Sequence, residues 1–192
     1  MKPARGFTLI EIMVVMVIIG IMALMIGLSV GNRSSEDRME AEARRIQQLL
    51  QFASDEAQAK GLEIGLRYDQ QAYQFLELSD DGKWQVVRQG SLRPRRISAP
   101  MYLEMRVEQE LVTPAAEVGL EPAFAASEDD EDDAAKEDDE AAEGLEPQML
   151  LLSSGEMTPF SLDVKLPDYE VYYRVSGDVL GRLTFSRQVD AS

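Results

Sequence analysis

Residues that most enzymes use for nucleophilic and acid–base chemistry are scarce in this 192-residue sequence. It contains no cysteine and no histidine, which removes thiolate nucleophiles, disulfides and the commonest general base and metal ligand. Ser153 and Ser154 precede Gly155, but a Ser-His-Asp triad needs histidine, and no Ser-x-x-Lys motif occurs. Glycine-rich phosphate-binding motifs are absent as well. We therefore expect no enzyme, no catalytic residue and no cofactor.

The acidic side chains are concentrated in one stretch. The sequence has 35 Asp and Glu against 19 Lys and Arg, and the twelve acids and one lysine of residues 128–146 supply −11 of the net charge of −16. Such acidity argues against nucleic-acid binding. Dense like charge with low hydrophobicity predicts a disordered insert over residues 112–147. A calcium site is the alternative, but residues 129–134 lack the glycine and the distant glutamate of an EF-hand loop, so we expect no structured metal site.

The N-terminal segment carries an acidic residue at the head of a long apolar stretch. Residues 12–32 contain no charge, and as a helix they would span about 31 Å, enough for a bilayer core of about 30 Å. Lys2 and Arg5 precede the stretch, so the first six residues are expected in the cytoplasm and the remainder outside. Glu11 is the difficulty, because a carboxylate at a helix centre costs on the order of 2.5–3.5 kcal/mol on insertion scales.

Three interpretations of this segment compete. A signal peptide cut after its apolar core usually has a core of about 7–15 residues, shorter than this one. An uncleaved anchor leaves Glu11 unexplained. A cut between Gly6 and Phe7 would create a new amino terminus one helical turn from Glu11. In a filament of parallel, staggered helices this carboxylate could meet a neighbour's terminal ammonium and set the register of assembly.

Residues 5–13 read Arg-Gly-Phe-Thr-Leu-Ile-Glu-Ile-Met and closely resemble the class III signal of type IV pilins and type II secretion pseudopilins. The resemblance implies cleavage after Gly6 by a membrane prepilin peptidase and methylation of the Phe7 amine. It also implies that Glu11 is the assembly carboxylate. The expected location is the inner membrane, crossed once, with the C-terminal domain in the periplasm.

Beyond the apolar stretch the pattern predicts one long helix. Apolar residues recur at a spacing of three and four from Met39 to Ala57, and Gly61 follows Lys60 where a helix would stop. No proline occurs between Ala4 and Arg93, so the helix is expected to run from the membrane to about Lys60. Its apolar stripe is expected to pack on a sheet.

After the helix the apolar period changes to two, which predicts strands. We expect strands over residues 62–68, 72–78, 83–87, 101–107, 148–152, 157–164, 169–175 and 179–185. Turns are expected at residues 69–71, 80–82, 154–155 and 176–178. Residues 92–97 read as a connector, whose Arg93, Arg95 and Arg96 form a small basic cluster in a solvated loop. The predicted fold class is α+β, a membrane-spanning helix followed by an antiparallel β domain.

Body motifs at residues 43–68, 92–96, 147–160 and 177–183 look like the minor pseudopilin H family, in which they lie in two β-sheets packed by the long helix. The expected divisions are a leader (1–6), a transmembrane and assembly helix (7–32) and its periplasmic continuation (33–61). They continue with a first β region (62–111), the acidic insert (112–147) and a second β region (148–192).

The resemblance implies a structural subunit near the tip of a periplasmic pseudopilus that helps move folded proteins through the outer membrane. Expected partners are the major pseudopilin, the other minor pseudopilins, the prepilin peptidase and inner-membrane lipid. A minor type IV pilin for adhesion, motility or DNA uptake is the alternative, and a membrane-tethered periplasmic binding protein or enzyme is a third possibility.

Overall fold

The structure, a computed structural model, describes the backbone of residues 9–115 and 145–190, and within this range the side chains of residues 21–34 are not described. The predicted leader, Gly6, Phe7 and residues 116–144 of the acidic insert therefore lie outside the described residues. The chain divides into two compact units, residues 1–38 and residues 39–192.

Helix α1 extends over Leu9–Lys60, which confirms the predicted single long helix. It ends where the sequence indicates, because Gly61 adopts a positive φ of 69° and the Leu62 amide donates to the Ala57 carbonyl at 3.0 Å. That geometry satisfies a carbonyl that the last turn would otherwise leave without a partner. Over the residues that the structure describes, no helix is both long and apolar enough to cross a membrane.

Within the described residues, ten strands follow the helix, all paired antiparallel. They are β1 (Ile64–Tyr68), β2 (Ala72–Leu78), β3 (Trp84–Val86), β4 (Arg95–Arg96), β5 (Tyr102–Val107), β6 (Glu110–Leu111), β7 (Met149–Leu151), β8 (Phe160–Lys165), β9 (Val171–Gly177) and β10 (Leu183–Val189). The first sheet has the order β3-β2-β1-β7, with β4 also on β2, and the second has the order β10-β9-β8-β5-β6. The expected α+β fold with two sheets is confirmed.

One core joins the helix residues from Met39 onward to both sheets. The stripe predicted from the spacing is buried, with Met39, Ala43, Leu50, Ala53 and Ala57 each fully covered. The core also takes alternate residues of each sheet, which are Ile64, Leu66, Tyr68, Tyr73 and Phe75 from the first and Leu103, Met105, Leu162, Val164, Tyr173 and Val175 from the second. Period-two alternation therefore selects the face of each sheet that meets the helix.

Tyr68 ties the two sheets together inside this core. Its hydroxyl donates to the Val112 carbonyl at 2.8 Å and accepts from the Met105 amide at 3.3 Å. The buried hydroxyl therefore both donates and accepts a hydrogen bond, which compensates the loss of its contacts with water.

Two sequence predictions around the last strand need correction. The last strand was expected over residues 179–185, but β10 begins at Leu183, and Val179 and Leu180 lie in an exposed turn. Because these two side chains are apolar, they extended the alternating pattern that predicted a strand. The predicted turn at residues 176–178 is also displaced, because Gly177 still pairs with Leu183.

Residues 92–97 are not a plain connector. A short 3₁₀ helix covers Gly90–Leu92, and Arg95–Arg96 form β4, opposite Tyr73 and Ala72 of β2. The arginines gave no signal for a strand, because a two-residue pairing depends on the neighbouring strand rather than on local pattern. The short strand β6 was not predicted either.

Candidate functional site

Glu11 lies in the first turn of α1 as the structure describes that helix, from Leu9 onward. Around it the large apolar side chains are exposed on every side of the helix, and they are Leu9, Ile10, Ile12, Met13, Val14, Val15, Met16, Val17, Ile18 and Ile19. Their exposed fractions range from 44% for Val15 to 79% for Leu9. An apolar surface of this extent marks a site of lipid or protein contact.

Of the three predicted site residues, only Glu11 belongs to the described part of the chain. Glu11 is placed on the helix as expected, whereas Gly6 and Phe7 lie outside the described residues. The roles predicted for the three residues, in cleavage, methylation and assembly, therefore remain predictions.

In the body, two glutamates of α1 connect the helix to the two sheets. Glu42 is 9% exposed; it accepts from Arg45 at 3.1 Å and from the Tyr73 hydroxyl of the first sheet at 3.4 Å. Burial, followed by the nearby Glu42 charge, raises the pKa of the Tyr73 phenol well above its ordinary value of 10.0, because both oppose an ionised phenolate.

Glu40 makes the corresponding contact with the second sheet. It pairs with Arg44 at 2.7 Å and accepts from the Tyr173 hydroxyl at 3.4 Å. The Arg44 guanidinium lies 4.3 Å from the centroid of the Phe185 ring, which stacks on Tyr173 at 5.6 Å. The polar side of the helix is thereby used for packing, through charge and ring contacts.

A charged network covers the outer face of the second sheet. Asp163 is completely buried and accepts two hydrogen bonds from Arg174, at 2.6 and 2.7 Å, and one from Arg106 at 3.2 Å. Glu104 also pairs with Arg106, and with Lys165 at 3.2 Å. The hydrogen bonds that Arg174 donates to the Asp163 carboxylate raise the pKa of Arg174 above its ordinary value. Since the buried Asp163 has partners for its charge, its desolvation is compensated, and the network offers no reactive group.

The turn between β9 and β10 exposes two apolar side chains and is closed by hydrogen bonds to Asp178. Asp178 accepts from the amides of Leu180 and Arg182 at 3.0 and 3.1 Å and from the Arg182 guanidinium at 2.8 Å. The side-chain bond to Arg182 is the main reason that the pKa of Asp178 lies below its ordinary value. Val179 and Leu180 are 52% and 64% exposed. Exposed apolar side chains of this kind favour contact with another protein and supply no catalytic group.

The other residues singled out in the sequence have structural positions. Ser153 and Ser154 lie in an exposed turn closed by a bond from the Gly155 amide to the Leu152 carbonyl at 2.9 Å. Arg95 donates to the Ser91 carbonyl at 3.2 Å. Sequence reasoning missed the Asp163 network and the Glu40 and Glu42 contacts. The only signal for the Asp163 network was the presence of acids and bases on neighbouring strands.

Comparisons with known proteins identify the family to which this chain is similar. Residues 1–27 match the prokaryotic N-terminal methylation motif, and residues 42–181 match the family described as type II transport protein GspH. The chain is 35% identical to the type II secretion system protein H of Pseudomonas aeruginosa over 84% of this chain and 83% of that protein. It is 28% identical to the protein of the same name from Aeromonas hydrophila over 93% of this chain and 91% of that one.

The fold is similar to the crystal structure of the minor pseudopilin EpsH from the type II secretion system of Vibrio cholerae. The TM-score is 0.57 at 22% identity, and the match covers 81% of this chain and 98% of the other. The methylation motif and the GspH match thus occur together in this chain, whose fold is similar to that of a minor pseudopilin. The chain belongs to the type II transport protein GspH family, the structural minor pseudopilins of type II secretion systems.

Proposed function

We propose that this minor pseudopilin is a subunit near the tip of the periplasmic pseudopilus, where it helps drive folded proteins through the outer membrane. The chain would cross the inner membrane once with residues 7–32 and hold its body in the periplasm. The methylation motif over residues 1–27 supports membrane anchoring and processing. The partners would be the major pseudopilin and the other minor pseudopilins.

The observation that carries the proposal is Glu11 in the first turn of a helix whose apolar side chains are exposed all round. Prepilin peptidase would cut between Gly6 and Phe7, and the Phe7 amine would be methylated. The amine of one subunit would then meet the Glu11 carboxylate of its neighbour, so that two charges that are costly in lipid neutralise one another. Apolar contact would supply adhesion and Glu11 would set the register.

Glu11→Val tests this proposal directly, in cells that carry the rest of the secretion system. We expect secretion to fall at least about tenfold, because one uncompensated ammonium in a low-dielectric site costs more than about 1.4 kcal/mol. Glu11→Asp keeps a carboxylate and should retain part of the activity. Glu63→Val removes an exposed carboxylate of the body and should have no effect.

Intact-mass analysis of the membrane-extracted protein gives the second readout. The expected product lacks residues 1–6 and carries one added methyl group. A product that retains Met1, or one cut near Ser29, would reject the processing step. Full secretion by Glu11→Val would reject the role of the carboxylate even if processing is normal.

A further inference from the structure

Strand β10 (Leu183–Val189) forms an open edge of the second sheet. It pairs with β9 along all seven of its residues, and in the described part of the chain no strand lies on its other side. An open edge of this length presents a row of backbone donors and acceptors, with which another extended chain can pair.

Hydrogen bonds at the two ends of the β9–β10 hairpin show which residues face outward. The Arg182 carbonyl accepts from the Asp178 amide at 3.2 Å. At the far end, the Asp190 amide donates to the Glu170 carbonyl at 2.7 Å. The even-numbered residues of this strand therefore bond to β9, and because the two kinds of pair alternate along an antiparallel ladder, the odd-numbered residues point their backbone groups away from it. These outward-facing residues include Leu183, Phe185 and Val189.

Other sheet edges in the described ranges are short or are closed by the chain itself. The strands β3 and β7 have three residues each, and β4 and β6 have two each. The free side of β7 is covered where the Thr158 amide donates to the Leu150 carbonyl at 2.9 Å. Beyond β6, the edge of β5 is covered where the Leu103 amide donates to the Gln70 carbonyl at 2.8 Å. Since proteins shorten or cover edges to prevent unwanted pairing, the long open edge of β10 indicates a surface kept for a partner.

Exposed apolar side chains extend this surface at both ends of β10. Val179 and Leu180 lie in the turn before the strand, and Val189 is its last residue; all three are more than half exposed. Among the described residues from 39 onward, the other large apolar side chains that are exposed are Phe52 and Leu111. The concentration of three such side chains along one hairpin favours contact with another protein.

The side chains of β10 define the chemistry of its partner. Only one of the seven is charged. Leu183 and Phe185 pack against the core, and the alternation of a strand places Thr184, Ser186 and Gln188 on the opposite face. Cross-strand pairs are favourable between aromatic and β-branched residues and between hydroxyl groups. The partner that fits is therefore an extended, nearly uncharged segment that alternates aliphatic and hydroxyl-bearing residues.

A second copy of this chain does not fit this description. Each copy carries a net charge of −16, and chains with so much charge of one sign repel one another. A nearly uncharged segment of a different subunit meets the same edge without that repulsion.

We propose that β10 accepts an extended segment of a different pseudopilin as an added strand, which continues the second sheet into the neighbouring subunit. The identity of the partner rests on the proposed function, because assembly through α1 would hold the two subunits side by side. The high local concentration that results allows a short strand to pair, although its contact area alone is too small for stable association in solution.

Photo-crosslinking in cells that carry the whole secretion system tests the partner. A photo-reactive amino acid replaces Thr184, an exposed residue of β10, in the full-length chain, and a second copy with a larger tag distinguishes adducts between copies. We expect an adduct with another pseudopilin, mapped by mass spectrometry to a segment that alternates aliphatic and hydroxyl-bearing residues. An adduct with the second copy, an adduct with a protein other than a pseudopilin, or no adduct would overturn the proposal.

Val189→Pro tests whether the backbone of β10 makes the contact. Proline removes an amide that points away from β9 and places its ring toward the added strand. The yield of the Thr184 adduct should fall about tenfold, because the pairing loses a donor and meets the ring. Val189→Ala keeps the amide and is the matched control, whose yield should change less than about twofold. Equal yields from the two variants would overturn the proposal.

Thermal unfolding of both variants shows whether the body is intact, and the two midpoints should agree. Should the proline variant unfold early, the adduct from the otherwise natural chain still decides the question. Removal of residues 1–6, the added methyl group and the effect of Glu11→Val do not involve β10. They would persist if no adduct formed at Thr184, so failure of this inference is distinguishable from failure of the proposed function.

Discussion

At the scale of single residues, the energy of each charge in this protein is decided by its neighbours. Asp163 is completely buried on the outer face of a sheet, yet three hydrogen bonds from Arg174 and Arg106 compensate it. Removal of one member of such a group leaves the others buried without compensation, which costs more than the intact pair contributes.

Asp163→Asn should therefore destabilise the body by about 3 kcal/mol, since the neutral amide removes the counter-charge that Arg174 contacts and leaves Arg106 with Glu104 alone. Urea unfolding followed by circular dichroism measures the change. Glu110→Gln, at an exposed carboxylate of β6, is the control and should shift stability by less than about 0.5 kcal/mol. A change that small for Asp163→Asn would mean that the arginines are adequately solvated without it.

Tyr73 links stability to pH at the alkaline end. Because its pKa in the folded protein is raised above the ordinary 10.0, its contribution to stability is complete below about pH 10 and is lost as pH rises toward the folded value. Tyr73→Phe should remove this part of the alkaline loss, so that its stability falls less steeply above pH 10 than that of the natural protein. Parallel curves above pH 10 would show that the phenol does not titrate on unfolding.

At the scale of elements, close contacts between turns hold the two sheets in place. Gly181 in the β9–β10 turn has a φ of 78°, and a Cβ built there would lie 2.2 Å from the Gly155 carbonyl oxygen. The turn at residues 153–156 and the β9–β10 turn are therefore in backbone contact. Only glycine satisfies both the left-handed conformation and this approach.

Gly181→Ala should destabilise the body by about 3 kcal/mol, because strain at positive φ costs about 1 kcal/mol and the backbone clash adds to it. Gly82 separates the two effects, since it has the same φ of 78° but nothing within 4 Å of its Cβ position. Gly82→Ala should cost only about 1 kcal/mol. Thermal unfolding of both variants checks the difference, and equal losses would refute the steric contribution.

At the scale of the whole molecule, the unit formed by residues 39–192 has its own core and its own cross-sheet contacts. The large apolar side chains at residues 9–19 of the other unit are exposed, and they require lipid or another protein to remove them from water. The two units thus have different physical requirements, one met within the chain and one met by assembly.

A fragment of residues 33–192 should therefore fold by itself, remain soluble without detergent and unfold in one cooperative transition. The matched fragment of residues 61–192 lacks the helix stripe and should be unfolded, because the core loses Met39, Ile46 and Leu50. Size-exclusion chromatography and thermal circular dichroism distinguish the outcomes. Aggregation of the longer fragment would show that the body depends on residues before it.

The sequence by itself determined the features that arise from local pattern. The absence of cysteine and histidine is read directly from the composition. The order of neighbouring residues indicates the apolar stretch with Glu11, the end of the helix at Gly61 and the alternation of most strands. The resemblance of residues 5–13 to the pilin signal pointed to the family that the comparisons confirm.

Only the tertiary structure decided what depends on contacts between distant residues. Examples are the pairing of β4 with β2, the burial of Asp163 beside two arginines and the contact of Gly181 with the Gly155 carbonyl. Each of them joins residues that are separated in sequence. Local propensity is too weak to specify such contacts, because burial and cross-strand neighbours set their energy.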